Sequence, residues 1–125
     1  MSTTRPHPLH HIALRTRDVD RLVAFYEQAL GLGRWPVQAG SGVWLSLGPA
    51  VLMIERADTD EPLPAAGARD LLAFAAADAS LDATRARLRS LGLTIEAETA
   101  HTLYFRDPDG RRVALSDFAF PNETR

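Results

Sequence analysis

The chain has no cysteine, which excludes a disulfide framework, a thiolate-held metal and a cysteine nucleophile. It has no lysine either: all 14 basic residues are arginine, so neither a lysine Schiff base nor a phosphate-loop lysine exists. No apolar run approaches the roughly 20 residues that a bilayer span needs. The first residues, MSTTRPHPLHH, lack an apolar signal core. A cytoplasmic, reducing location is therefore expected. Neither sign of charge dominates, with 14 basic against 16 acidic residues and a net charge of −2. Nothing in that balance favours nucleic acid or an anionic membrane as partner. No GxGxxG, P-loop, nucleophile elbow or HExxH occurs. What remains is 125 residues, 46% hydrophobic, enough for one domain with a core of its own.

That core is built from an internal repeat. Residues 9–16 (LHHIALRT) alternate, with Ile12 and Leu14 on one face and His11, Ala13 and Arg15 on the other, which is a strand pattern. Asp18 is placed to cap a helix in which Val19, Leu22, Val23, Tyr26, Ala29 and Leu30 recur at helical spacing until Gly31. Short strands are predicted at about 33–38, Val43–Leu47 and Val51–Glu55, separated by Gly40 and Gly42 and then by Gly48-Pro49. The order then restarts. Asp70–Ala76 reads as a strand. Leu81, Thr84, Leu88 and Leu91 form a helical stripe capped by Ser80 or Asp78 and ended by Gly92. Thr94–Glu98, Thr102–Arg106 and Arg112–Phe118 follow as strands, the last two joined by the turn Asp107-Pro108-Asp109-Gly110. The expected plan is α+β: two βαβββ modules forming a curved mixed sheet around a cleft, with helices on the outside. Module one covers about 9–56, a solvated linker 57–69, and module two about 70–118. Residues 1–8 are expected to be a flexible tail and 9–125 a single domain.

The ordered set His11-Ile12-Ala13-Leu14, Asp18, Phe25-Tyr26, Leu30-Gly31-Leu32 and, later, Phe105-Arg106-Asp107-Pro108-Asp109-Gly110 resembles the vicinal oxygen chelate superfamily. That superfamily includes glyoxalase I, bleomycin-resistance proteins, extradiol dioxygenases and fosfomycin-resistance proteins. The resemblance runs from about Leu9 to Phe118 and rests on the doubled order rather than on any single motif. It implies a cleft between modules and, in the metal enzymes, a divalent ion chelated by paired substrate oxygens. It also implies a homodimer.

The ligand positions that the resemblance implies fall unevenly. His11 takes the first. Glu55, closing VLMIE on the face of Val51 and Met53, takes the second. An imidazole and a carboxylate suit Zn, Ni, Fe, Mn or Co. The other two positions fall on Leu71 and Ala114, which cannot coordinate a metal. A catalytic centre generally needs three protein ligands and an open position. Among possible substitutes, Asp70 has the opposite parity to Leu71, and Asp117 shares the parity of the core residues Val113 and Leu115. His101 would reach the cleft rim, and Tyr104 would line the cleft. A carboxylate at Glu55 inside a cleft needs a metal, Arg15, Arg56 or a proton to offset its desolvation. Trp44, opposite in parity to Val43, Leu45 and Leu47, and Met53 would form an apolar wall. The expected ligand-contacting set is thus Arg15, Trp44, Met53, His101 and Tyr104, with no catalytic residue assigned. Trp35 is expected at a strand edge, and Phe25 in the core or at an interface. Arg85, Arg87 and Arg89 are expected on a solvated helix face, and Arg111 and Arg112 toward solvent.

Two functions follow. In the first, His11 and Glu55 hold a divalent ion, and the ion polarises paired oxygens in a lyase or isomerase reaction of the glyoxalase type. Dioxygenase chemistry fits less well, because the second histidine of that ligand set has no counterpart. In the second, the cleft is metal-free, apolar and aromatic-lined, and sequesters a small compound as a resistance protein does. The two stand close, with the balance toward a small-molecule cleft poor in metal ligands.

Overall fold

A computed structural model describes residues 6–36, 38, 40–76 and 80–121. Residues 1–5 of the expected tail, and Asp78 as an alternative cap, lie outside these. The first strand, β1 (His11–Thr16), buries Leu14 and Thr16 and leaves His11 and Ala13 exposed, as alternation requires. Helix α1 (Val19–Leu30) starts where the Asp18 carboxylate accepts from the Arg21 amide. It stops at Gly31, whose φ of 68° is a left-handed cap conformation that a side chain would strain. Strands β2 (Val43–Leu47) and β3 (Ala50–Arg56) complete module one. The second half repeats the order with β4 (Leu71–Ala75), α2 (Leu81–Ser90), β5 (Ala97–Glu98), β6 (Thr102–Arg106) and β7 (Arg112–Ser116). Ser80 is the cap of α2, accepting from the Ala83 amide at 3.1 Å.

The two sheets share one wiring scheme. In module one the order is β1-β3-β2, with β1 parallel and β2 antiparallel to β3. In module two it is β4-β7-β6-β5, with β4 parallel to β7 and the other pairs antiparallel. The strand expected at 33–38 is reduced to a single bridge, Arg34 to Leu45. Pro36 has no amide to extend it, and the Gln38 side chain takes the place of a ladder by bonding the Trp35 carbonyl and the Trp44 amide. In module two the strand expected at 94–98 is regular only over Ala97–Glu98, although the Glu96 amide still reaches the Tyr104 carbonyl. The last strand ends at Ser116, where the Ser116 hydroxyl and the His101 carbonyl capture the next amides.

A single core serves both modules. Leu45, Leu52, Ile54, Leu103, Phe105 and Val113 from the two sheets are fully buried, as are Leu22 and Tyr26 of α1 and Leu88 of α2. Helix α1 reaches across to module two, where Phe25 tilts against Phe105 and Tyr26 against Phe74. Phe25 is thus core. Burying each such side chain contributes about 1.5–3 kcal/mol, so the core joins the halves more strongly than the linker does. At the end of α1 the Tyr26 hydroxyl donates to the buried Asp107 carboxylate at 2.8 Å. Burial, and then the charge of Asp107, push the Tyr26 phenol far above its ordinary value.

The linker is held rather than merely solvated. Arg15 donates to Glu61 from both Nε and Nη2, and Arg17 donates to the carbonyls of Asp58, Thr59 and Glu61. Further along, Arg106 donates to the Ala68 carbonyl at 2.6 Å. Among the described residues no helix is long and apolar enough to cross a membrane.

Candidate functional site

The sheet faces turned away from the helices carry the candidate residues. On module one, β1 offers His11, Ala13 and Arg15, β3 offers Val51, Met53 and Glu55, and β2 offers Trp44 and Ser46. Register decides which of these meet. Trp44 lies opposite Met53, and Arg15 opposite Glu55. Arg15, Trp44, Met53 and Glu55 line one hollow of about 310 Å³, together with Gly40, Gly42 and Arg56. Its polar end is a network. Arg15 spans Glu55 at 3.3 Å, Glu61 at 2.8 Å and Asp58 at 3.8 Å. The hydrogen bonds from Arg15, and next the Asp58 amide, lower the Glu61 carboxyl to about 2, and the two glutamates raise the Arg15 guanidinium above its already high value.

On module two, Tyr104, Thr102, Leu71, Ala73, Ala75 and Phe118 line a second hollow of about 420 Å³. Its wall is aromatic: Phe118 packs edge-on against Phe120 and against His101. His101 is not among the lining residues; its Nδ1 pairs with Asp117 at 2.9 Å. The two hollows share no lining residue, and His11 lines neither. Asp70 precedes β4, is exposed, and lines a third hollow under the linker.

His11 and Glu55 are not brought together. His11 pairs in register with Val51, and Glu55 with Arg15, four residues further along both strands. At roughly 3.3 Å per residue that offset is about 13 Å along the strands, so the two side chains stand at different levels of the sheet. The face position beside His11 is Val51, and the next along β3 is Met53. On module two, Leu71 pairs with Arg112 and Ala114 with Ala73, so no donor stands there either. Among the described residues no group of three or more His, Cys, Asp or Glu is placed to hold a metal ion. The donor set therefore does not fit the divalent ion that the resemblance implies. A second copy of the chain would bring the same Leu71 and Ala114.

Two groups of arginines behave otherwise than expected. Arg111 and Arg112, expected toward solvent, have side chains only 14% and 15% exposed. Arg111 donates to Asp107, Asp109 and the Arg15 carbonyl, tying the turn after β6 to β1. Arg112 stacks over the Tyr104 ring, with its guanidinium carbon 4.3 Å from the centroid. On α2, Arg87 donates to the carbonyls of Gln28 and Ala29 at the end of α1, and Arg85 bridges Asp82 and Glu98, so that face is not simply solvated. Asp82, Asp107 and Asp109 are local partners, but the Arg15, Gln28 and Ala29 carbonyls and Glu98, Glu96 and Tyr104 are brought in from eight or more residues away, beyond the reach of local pattern.

A family profile described as the glyoxalase/bleomycin resistance protein/dioxygenase superfamily matches residues 8–115. No curated protein matches the sequence. Among solved structures, an integron cassette protein from the mobile metagenome of Vibrio cholerae is 24% identical, with 94% of this chain and 100% of that chain covered and a TM-score of 0.73. Lactoylglutathione lyase from Agrobacterium tumefaciens is 27% identical, with 90% and 95% covered and a TM-score of 0.66. The fosfomycin resistance protein FosX of Listeria monocytogenes, as its E126Q mutant with Mn(II) and a dihydroxypropylphosphonic acid, is 17% identical, with 93% and 96% covered and a TM-score of 0.74. Duplicated wiring, a shared core and a family match over almost the whole length agree: this chain belongs to the glyoxalase/bleomycin resistance protein/dioxygenase superfamily.

Proposed function

We propose that the chain binds a small organic molecule on its outward sheet faces without a resident metal ion, and so acts by binding or sequestering rather than as a metal-dependent lyase. The observation that carries this reading is register. The residue facing His11 is Val51, and the two module-two positions that would complete a metal centre are Leu71 and Ala114. In place of ligands the faces offer Trp44 and Met53 on one module and Tyr104 and Phe118 on the other. Such walls bury the apolar body of a ligand while a few polar groups orient it. In the first hollow those polar groups are Arg15 and Glu55.

Elemental analysis tests this directly, on protein purified without chelator and without a nickel column. The expected result is far less than one divalent ion per chain, unchanged in His11→Ala and Glu55→Ala. A full ion per chain, lost in both variants, overturns the reading and restores the lyase. We also infer that two copies pair, since β1 and β4 are edge strands and Leu71 and Phe118 are exposed. A light-scattering mass of one chain at micromolar concentration refutes the pairing.

A further inference from the structure

The third hollow lies under the linker, outside both sheet-face hollows except for Leu71. It measures about 470 Å³, within the range of roughly 300–1,000 Å³ usual for small-molecule sites. Its walls are Leu14, Leu72, Leu71 and the linker residues Pro64, Ala65 and Ala68, and its polar groups are Arg111, Arg112 and Asp70.

The arginines in and beside it are unequally partnered. Arg106 and Arg112 lie directly opposite each other on β6 and β7, an unfavourable pairing of like charges. Glu96 is their one shared carboxylate, taking Arg106 on both oxygens and the Arg112 Nε at 3.3 Å. One carboxylate thus serves two guanidinium groups, and Arg106 takes the larger share of it. Arg106 has spent its remaining donors on the Ala68 and Gly110 carbonyls. Arg111 is committed to Asp107, Asp109 and the Arg15 carbonyl. Arg112 is therefore the least partnered of the three. Its guanidinium is stacked on Tyr104 and only 15% exposed, and its Nη1 and Nη2 have no acceptor among the described residues. A guanidinium fixed in plane, with two nitrogens unmatched, suits a planar carboxylate through paired hydrogen bonds.

We propose that this hollow binds a monocarboxylate with an apolar body, its carboxylate on the Nη atoms of Arg112 and its body against Leu14, Leu71, Leu72 and Pro64. The site is separate from the metal-independent face binding described above and does not rest on it. Among the described residues that line the hollow, Asp70 is the acidic one, and it opposes the ligand's charge.

The probe is octanoate, with neutral octanamide as its control, titrated to about 10 mM against the folded full chain by calorimetry and amide NMR shifts. Saturable octanoate binding is expected, with shifts at Leu71, Leu72 and Ala68 and with octanamide weaker by about tenfold. Arg112→Gln lowers octanoate affinity by about tenfold, and Asp70→Asn raises it. Equal binding of acid and amide, no saturation, or a folded Arg112→Gln that binds unchanged overturns the proposal. Should Arg112→Gln fail to fold, Asp70→Asn decides: tighter octanoate binding supports the site, and unchanged binding overturns it. Metal content is unaffected by any of these outcomes.

Discussion

Removing the Asp107 carboxylate tests how the two modules are joined. Its side chain is fully buried and accepts four hydrogen bonds: from the Tyr26 hydroxyl at 2.8 Å, the Asp109 amide at 2.9 Å, the Arg111 amide at 3.0 Å and the Arg111 guanidinium at 3.2 Å. Asp107→Ala strips the wholly buried Tyr26 hydroxyl of its acceptor and leaves Arg111 with Asp109 as its only carboxylate. Breaking a buried charged pair from one side costs about 3–5 kcal/mol. The surviving Arg111–Asp109 contact puts this case near the lower end, about 3 kcal/mol. Tyr26→Phe removes a single bond to a carboxylate that keeps three other donors, so about 1–2 kcal/mol is expected. The double variant should cost less than the sum, because both changes delete the same bond. Urea unfolding followed by far-ultraviolet circular dichroism gives all three values. Asp107→Ala should also lower the melting temperature by about 10 °C in a domain of this size. A cost under about 1 kcal/mol for Asp107→Ala, or strict additivity in the double variant, refutes the claim that this carboxylate ties α1 and β1 to module two.

Two further perturbations address the first module and the linker tied to it. Glu61 is held at about 2 when folded, below the ordinary 4.5, so its stabilising contribution is present above about pH 4.5 and is lost as the pH falls toward 2. Glu61→Gln should therefore flatten the fall in melting temperature across that window, and an unchanged profile counts against the Arg15–Glu61 tie. Gly42 lies against β3, where an added Cβ would stand 2.5 Å from the Ile54 carbonyl oxygen. Gly42→Ala must shift that backbone, at about 1–3 kcal/mol, and should reshape the hollow that contains Trp44. Urea unfolding and tryptophan fluorescence report the two effects, and a variant with wild-type values in both contradicts the packing.

Much of this architecture is local and therefore legible in the sequence. Asp18, the spacing of Val19, Leu22 and Tyr26, and Gly31 specify α1 by capping and periodicity, and the same logic finds α2 through Ser80 and Leu88. Alternation also assigns faces: His11, Arg15, Trp44, Met53 and Glu55 all turn away from the core. Parity, however, says which face a side chain takes and not which neighbour it meets. The four-residue offset between His11 and Glu55 exists only in the register of β1 against β3. Arg112 was hidden for a related reason. After a polar turn it reads as solvent-facing, yet Glu96 and Tyr104 are brought to it from 16 and 8 residues away by strand pairing.

The position of α1 has a consequence for any attempt to divide the molecule. Because Phe25 and Tyr26 lean on rings of the opposite half, a fragment beginning at β4 would leave Phe74 and Phe105 wet. The duplicated units are thus not interchangeable parts: the first carries a helix against which rings of the second also pack.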